Sequence, residues 1–281
     1  MFVVKSPDLR PPENESSERL LADEEGILWT EDDDSDVWIS ATTIFLQISA
    51  LAIVFVVGAL LGFFWRADLD GLCGRHVSQY SPIVNDMDVK YNIVSSTGSL
   101  LRESIFRQDA SPEVDAAWDS LGVNYRGIRV PAEDAEESGL AVDQVRIKDK
   151  YGGGFPAEVE GFRRLRCLNV LRQSLYYNYS YYHSRGEGVF GNNSYIVRRQ
   201  VSYCLDIIRQ QLMCTVDTGV VGQIWIYPEN PEPYVDFETH HKCKNFEDIR
   251  QWVEKSQLPE KPPWDFLVHP GPGDRIYKEM P

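Results

Sequence analysis

Two short stretches of the chain repeat one another around a cysteine, at a spacing that could gather side chains for chemistry. The stretch RLRCLNVLRQ at 164–173 returns as YCLDIIRQ at 203–210, which moves the cysteine by 37 positions, from Cys167 to Cys204. In a helix, the residues four and one positions before each cysteine share its face. Two histidines at these positions on each of two facing helices would converge on one metal ion, since neutral imidazole is a common metal ligand.

The four flanking residues of this chain are of other types. They are Arg163 and Arg166 before the first cysteine, and Gln200 and Tyr203 before the second. A guanidinium stays protonated and has no free acceptor, so two arginines repel a divalent cation. An unpaired buried charge is costly, and the Tyr203 hydroxyl and the Gln200 amide oxygen are the nearest acceptors that the sequence offers. The sequence therefore predicts a polar or solvent-open cluster here, with no bound cofactor.

The histidines of the chain offer a second way to hold a metal ion. Candidate ligands are His183 and the adjacent pair His240 and His241, which precede Cys243 in THHKC. Neighbouring side chains on an extended segment point to opposite sides, so both members of the pair seldom bind one ion. We expect these rings to be exposed or hydrogen-bonded, with a relocated metal site as the alternative.

Aromatic and basic residues near the first repeat could bind a ligand. The run SLYYNYSYYHSR contains five tyrosines between Leu175 and Ser184. These tyrosines either line a groove for a peptide or phenolic substrate or form a half-buried loop that covers the helix pair. Arg163, Arg164 and Arg166 would likewise grip a carboxylate or pair with acids of a partner chain.

Four cysteines of the C-terminal part suit two disulfides in an oxidising compartment. Cys204 and Cys214 lie ten residues apart, roughly 15 Å along one helix, whereas a bridge needs Cα atoms within about 7 Å. Facing positions on the repeat helices favour Cys167 with Cys204, which leaves Cys214 for Cys243. Metal ligation by these thiols is the rival interpretation, although none of them forms a Cys-x-x-Cys pair. Cys73 has no predicted partner.

Composition and charge exclude one class of function. The 281 residues are 43% hydrophobic, enough for a packed core, and carry a formal net charge of -15. Proteins that bind nucleic acid without sequence preference need a basic face, so no nucleic-acid partner is expected. Much of the negative charge lies in residues 1–36, which we expect to form a disordered acidic cytosolic tail.

One segment is long and apolar enough to cross a membrane. Residues 37–65 contain no charged side chain. This uncharged segment is longer than the roughly 20 residues that a helix needs to span the bilayer core. Sequons at Asn178 and Asn192 predict N-glycosylation and hence a lumenal C-terminal domain, against a weak opposite bias from flanking arginines. We therefore expect a single-pass protein of a secretory-pathway membrane, with a cytosolic N-terminus.

The remainder of the chain predicts a mainly α fold with minor β structure. Capping residues and apolar periodicity predict helices over 111–121, 131–139, 157–177, 197–215 and 246–257, and strands at 89–96 and 223–228. A compact domain would then form around the pair of repeat-related helices. The expected organisation is the tail, a transmembrane helix at 37–65, a stalk at 66–82, the domain at 83–257 and a Pro-rich tail at 258–281.

Several motifs in the same order resemble a known family. They are SPEVDAAWDSLG, the two repeats, LMCTVD after the second repeat, and HHKCKNFEDIRQW, between about Tyr80 and Trp252. Together they resemble the fungal UstYa-like proteins, membrane-anchored oxidases of ustiloxin-type mycotoxin pathways. Members typically carry His-x-x-His-Cys twice, and these histidines are the proposed catalytic, copper-binding residues.

The resemblance implies a membrane-anchored protein of secondary metabolism, acting on a ribosomal cyclic peptide or another small metabolite. All four motif histidines are replaced, by Arg163, Arg166, Gln200 and Tyr203. One hypothesis is a catalytically silent relative that binds substrate or an active UstYa-like partner. The other is an active oxidase with relocated ligands and bound copper.

Overall fold

The N-terminal part of the structure is a single long helix. The computed structural model describes residues 34–64, 71, 74 and 76–279. Helix α1 (Asp34–Phe64) contains a stretch, Ala41–Gly62, that is long and apolar enough to cross a membrane. The side chains described in that stretch are almost all exposed, as expected of a helix that lipid would surround. Most of the predicted acidic tail, much of the stalk and Cys73 lie outside the described residues.

The two repeats form the predicted pair of helices, α4 (Glu160–Ser174) and α6 (Ser194–Cys214). Helix α6 begins where the Asn193 side chain accepts a hydrogen bond from the Ile196 N–H at 3.1 Å. Its inner face repeats Val197, Val201, Cys204 and Ile208 at intervals of three and four residues. Apolar periodicity therefore sets which face of α6 turns to the domain.

A disulfide fixes where the two helices meet. Cys167 and Cys204 are bonded, with their Cα atoms 4.7 Å apart, as predicted. Val170 and Val201 pack beside the disulfide. The start of α4 and the end of α6 line the same cavity, so the helices run antiparallel.

A shorter helix covers one side of α4. Helix α3 (Pro112–Ser120) begins at Ser111, whose hydroxyl accepts a hydrogen bond from the Val114 N–H at 3.3 Å, as the Ser-Pro start predicts. Val114 and Trp118 are buried, and the Trp118 indole donates to the Phe106 carbonyl at 3.1 Å. The buried face of α3 thus places Trp118 against α4.

The β structure consists of three antiparallel pairs among the described residues. Strand β1 (Tyr91–Ser95) pairs with β6 (His240–Lys244), β2 (Ile128–Val130) with β3 (Phe155–Ala157), and β4 (Gln223–Ile226) with β5 (Glu232–Val235). Before β3, Gly154 has φ +80°, and a Cβ there would lie 2.3 Å from the Val130 carbonyl oxygen. Only glycine therefore allows β3 to approach β2 at this point.

The remaining helices are α2 (Pro82–Asp86), α5 (Tyr179–Arg185) and α7 (Phe246–Lys255). Ile83 from α2, Phe162 from α4 and Val253 from α7 meet around Ile128 in one buried cluster. This cluster joins the first and last parts of the domain to the repeat helices.

Two helices predicted from the sequence differ in the structure: one is only a short turn, and the other begins later than predicted. The helix expected over 131–139 is only a 3₁₀ turn, Ala132–Asp134, and Gly139 follows with φ +77°. The helix expected from 157 begins at Glu160, because Ala157 is held in β3 by its partner Ile128. A nonlocal strand pair overrides local helix preference there.

The C-terminal segment packs onto the domain. Phe266 is buried, and the Val268 N–H donates to the Arg146 carbonyl at 2.8 Å. Asp265 binds Lys150 at 2.6 Å and accepts a hydrogen bond from the Tyr151 hydroxyl at 2.8 Å. These contacts attach residues that the sequence placed in a Pro-rich tail.

Candidate functional site

Two of the four flanking residues meet between the repeat helices. The Arg163 guanidinium donates to the Tyr203 hydroxyl at 2.5 Å and lies 5.8 Å from the Tyr203 ring centroid. Both side chains are about half exposed. The structure therefore places this cation with the acceptor that the sequence offered, at an opening to solvent.

Arg166 uses different acceptors. Its guanidinium donates to the backbone carbonyls of Val123 at 3.0 Å and Tyr125 at 2.6 Å. It also binds Glu158 at 3.2 Å, and the same carboxylate lies 3.9 Å from Arg163. Glu158 thus links the two arginines electrostatically. Sequence reasoning missed this residue because it precedes the repeat and belongs to no motif.

Gln200 stands apart from this cluster. Its side chain is exposed, and the interactions described for Arg163 and Arg166 involve other acceptors. The sequence predicted that these residues form a polar cluster or open to solvent, and Gln200 is open to solvent. Carbonyls of the segment before β2 and the carboxylate of Glu158 are closer to the guanidinium groups.

The Arg163–Tyr203 contact borders a cavity with a volume of about 1010 Å³. Its charged side chains are balanced, because Arg164 pairs with Glu160 and Arg275 binds Asp143 at 2.9 Å. Apolar, amide and hydroxyl groups complete the lining, among them Leu140, Val145, Ile207, Gln210, Gln211 and Tyr277. The cavity can therefore accommodate a ligand that has both hydrogen-bonding groups and apolar surface.

The residues at the flanking positions do not fit a metal ion. Guanidinium groups offer no lone pair, and the Tyr203 hydroxyl already accepts a hydrogen bond from Arg163. A cation placed beside Arg163 and Arg166 would meet two positive charges and the single carboxylate of Glu158. The donor set is thus wrong for copper, which prefers imidazole and thiolate ligands.

The candidate histidines are separated. His183 is exposed on α5 and stacks on Tyr179, with ring centroids 5.1 Å apart. His240 and His241 alternate along β6, so their side chains point to opposite sides, as expected. Within the ranges that the structure describes, no group of three or more histidine, cysteine or acidic residues could hold a metal.

His241 has hydrogen-bond partners on both ring nitrogens. Its Nε2 lies 2.6 Å from the Thr239 hydroxyl, and its Nδ1 lies 3.1 Å from the Asp217 carboxylate. The Gly219 N–H, and then His241, hold the pKa of Asp217 below its usual value. The structure thus brings together Asp217 of LMCTVD and His241 of HHKC, two motifs that the sequence left unconnected.

The tyrosine run has a mainly structural environment. Tyr182 is buried, and its hydroxyl donates to Asp115 at 2.5 Å. Burial, and then this hydrogen bond, raise the pKa of Tyr182. Tyr176, by contrast, is 90% exposed, and the large cavity is lined by other residues. The run therefore forms a half-buried cover over α4, not a tyrosine-lined groove.

Arg172 lies beneath this cover and is nearly inaccessible. Its side chain is 6% exposed and binds Asp115 at 2.8 Å and the Asn169 amide oxygen at 2.8 Å. Trp118 and Tyr182 rings lie 5.3 Å and 5.2 Å from the guanidinium carbon. In the second repeat, Arg209 makes the equivalent bond to Asp206 at 2.7 Å, but on an exposed face. The Arg172–Asn169 contact of the first repeat is therefore buried, whereas the Arg209–Asp206 contact of the second repeat is at the surface.

The second predicted disulfide is absent. Cys214 and Cys243 are both free thiols. Cys214 ends α6 at the large cavity, whereas Cys243 is held in β6 opposite Asn92 and lines a different cavity. The prediction was wrong because the strand pairing of Cys243 fixes it to β1, away from the end of α6.

The two sequons have opposite environments. Asn178 has no exposed surface, donates to the Arg172 carbonyl at 3.0 Å and accepts from the Ala110 N–H at 2.9 Å. A glycan on its amide nitrogen would need space beside a side chain that has no exposed surface, so the folded domain has no room for the predicted glycan at Asn178. Asn192 is exposed, and its glycosylation stays a prediction.

The chain is similar in sequence to a family of known proteins. Residues 31–256 match the family described as mycotoxin biosynthesis protein UstYa. The UstYa family oxidase aprY of Aspergillus flavus is 27% identical, over 94% of this chain and 82% of that protein. The UstYa family oxidase phomYc of Diaporthe leptostromiformis is 28% identical, over 74% of this chain and 78% of its own length. No solved structure matches the chain.

Proposed function

The chain belongs to the UstYa family of mycotoxin biosynthesis proteins, and from this premise we propose that it acts in fungal secondary metabolism as a catalytically silent member. Its proposed role is to bind a peptide or small-metabolite substrate, or an active UstYa-like oxidase. The relatives named above are called oxidases. This chain would share their pathway class but not their reaction.

One observation carries the proposal. Where the resemblance predicts histidines, Arg163 donates to Tyr203, and Arg166 donates to two backbone carbonyls. Each guanidinium is held by protein acceptors, so the site is stable without a metal ion. Restoring metal binding would require new ligands and the removal of two positive charges.

The binding role is supported by the cavity beside this site. Its volume of about 1010 Å³ lies at the upper end of the range for ligand sites. Arg163 and Tyr203 form part of its wall. A ligand held there would contact the residues that replace the expected metal ligands, which is how a binding protein could evolve from an oxidase.

Localisation follows the same proposal. Helix α1 is long and apolar enough to anchor the protein in a membrane. We infer a secretory-pathway membrane with the C-terminal domain in the lumen, where the Cys167–Cys204 disulfide would persist. An exposed Asn192 is then open to glycosylation.

An active oxidase with relocated ligands is the second candidate. The observation that favours it is the contact between His241 and Asp217, two side chains of ligand type at 3.1 Å. Further ligands would have to come from outside the described residues or from a partner. This candidate predicts copper that depends on His241.

Copper content of the full-length protein, purified in detergent and measured by mass spectrometry, separates the candidates. We expect far less than one copper ion per chain. The variant R163H/R166H/Q200H/Y203H should gain about one, because the four imidazoles would converge between α4 and α6. The control R198H/R209H adds two histidines at exposed positions of α6 and should gain none.

Stoichiometric copper in the unmodified chain, lost in H241A, would refute the silent role and support the relocated site. Thermal unfolding of each variant shows whether a lack of copper reflects a lack of fold. A quadruple variant that folds without binding copper would show that the geometry between the helices has also diverged.

A further inference from the structure

The segment after α6 extends from the domain without burying any of its own residues. We call residues 212–238 the hairpin arm; it contains the end of α6, strands β4 and β5 and their connections. Every residue of the arm is exposed except the half-buried Ile226 and Asp236. The rest of the domain, by contrast, contributes side chains to several buried clusters.

The exposed surface of the arm is unusually apolar. Trp225 is 75% exposed and Val220 is 93% exposed. Together the large apolar side chains expose on the order of 1,000 Å² over the two faces of the hairpin and the end of α6. A standard protein interface buries about 800 Å² on each partner. The contributing residues are Leu212, Met213, Val216, Val220, Val221, Ile224, Trp225, Tyr227, Tyr234, Val235 and Phe237.

An isolated two-stranded hairpin is marginally stable in water. Ile224 opposes Tyr234 on one face of this hairpin, and Trp225 opposes Pro233 on the other. Neither face is covered, so cross-strand pairs alone hold the strands together. Added strands would supply the packing that the arm lacks within its own chain.

The two outer edges of the hairpin differ. The Asp236 N–H donates to the Gly222 carbonyl at 3.0 Å, which fixes the alternation of inward and outward backbone groups. Gln223 and Trp225 therefore present their N–H and C=O groups on the open edge of β4. The edge of β5 is protected, because Pro233 has no N–H and Glu232 is charged.

Strand β4 lacks every such protection. The stretch GQIWIY at 222–227 has no charge and no proline, and β-branched and aromatic residues dominate it. Edges of this kind pair with another strand unless something covers them. Among the described residues, β4 has only β5 as a neighbour.

We propose that the hairpin arm is a self-association surface, in which β4 of one copy pairs antiparallel with β4 of a second copy. A twofold axis through the middle of β4 makes this contact self-complementary and yields a four-stranded sheet. Apolar side chains next to the new strand pair, Trp225 among them, would lose part of their exposed surface.

Charge argues against an anionic lipid surface as the occupant of the arm. Residues 211–241 contain five acidic residues and no lysine or arginine. Anionic headgroups would repel such an arm. Strand β4, which would lie next to the twofold axis of the pair, has no charged residue. Glu232 belongs to β5, which would be the outer strand of each copy.

The test is the oligomeric state of the full-length chain in nanodiscs or detergent, from light scattering and sedimentation over a range of protein concentrations. We expect a dimer whose dissociation constant rises at least about thirty-fold in W225E, as for a buried aromatic anchor. The matched control is W264E, because Trp264 is 98% exposed and lies outside the arm. It should leave the dimer unchanged.

A second variant isolates the strand edge. Gln223 opposes Val235 and points its N–H outward, so Q223P removes a donor to the second copy while the hydrogen bonds within the hairpin remain. It should weaken the dimer, and circular dichroism should show an intact fold. A chain that stays monomeric up to tens of micromolar would overturn the proposal, as would a dimer that W225E and Q223P leave unaltered.

Lipid insertion is the competing occupant. Quenching by brominated lipids, taken as the difference between the wild type and W225F, reports on Trp225 alone. Strong quenching of that difference signal would overturn the second-copy proposal, whereas its absence in a dimeric sample would support it.

Discussion

The buried pair of Arg172 and Asp115 gives a sharp test of how the first repeat is anchored. The change D115A removes the carboxylate that binds Arg172 at 2.8 Å and accepts from Tyr182. Arg172 is 6% exposed, and its Nη1 already has no hydrogen-bond partner within the described residues. The mutation would therefore leave a desolvated cation with the amide of Asn169 and two aromatic rings.

The expected cost follows from that environment. Removing one partner of a buried ion pair costs about 3–5 kcal/mol. Because the Asp115 side chain is 26% exposed, water can reach the vacated position, and we expect the lower end, about 3 kcal/mol. R172M should cost less, about 1–2 kcal/mol, because it removes the cation and fills its space with an apolar chain.

A double-mutant cycle in urea unfolding, followed by tryptophan fluorescence, measures the coupling. D115A/R172M should resemble R172M alone, so the coupling energy should equal the cost of D115A, about 3 kcal/mol. A control of the same residue types is the exposed pair Asp206–Arg209, in which Asp206 stands at the repeat position of Asn169, and D206A should produce no measurable change. Equal effects of D115A and D206A, or additive effects of D115A and R172M, would refute the view that burial distinguishes the two repeats.

Three further outcomes are expected. Replacing Cys167 and Cys204 by serine should destabilise the domain by up to about 4 kcal/mol, since the bridge closes a long loop, and urea unfolding under non-reducing conditions measures this. If the domain is lumenal, glycosidase should shift the wild-type band but not N192Q, and a shift that survives in N192Q would show that Asn178 is modified before the domain closes around it. Hydrogen bonds from Lys150 and Tyr151, and then Lys148, hold the pKa of Asp265 well below its usual value. Its stabilising effect should be complete above about pH 4 and disappear as the pH falls further, and D265N should remove this acid dependence in unfolding measured against pH.

The helical part of the fold could be predicted from the sequence because its signals are local. Ser111 before Pro112 marked the start of α3, and the repeated spacing around Cys167 and Cys204 gave both the helix pair and its disulfide. Periodicity determines the buried face of a helix, and two facing cysteines follow from it.

The errors arose where distant segments decide the outcome. The register of β6 against β1 holds Cys243, and the pairing of β3 with Ile128 shortens α4. The carboxylate of Glu158, which two arginines share, lies in no repeat or motif. The burial of Asn178 was missed for the same reason: whether a side chain is exposed or buried depends on the distant segments that pack against it, and a local sequence pattern does not contain them.

The burial of Asn178 has a consequence for how the protein is made. Oligosaccharide transfer acts on a nascent, unfolded chain, whereas the native structure closes around this side chain and uses both of its polar groups. In a chain that enters the lumen, modification and folding would therefore compete for the same residue. A molecule that folds quickly escapes the transferase, and one that is modified first cannot bury this side chain and becomes a substrate for quality control. The yield of functional protein would then depend on the speed with which α4 and α5 meet, so that a single side chain acts as a kinetic checkpoint during biogenesis.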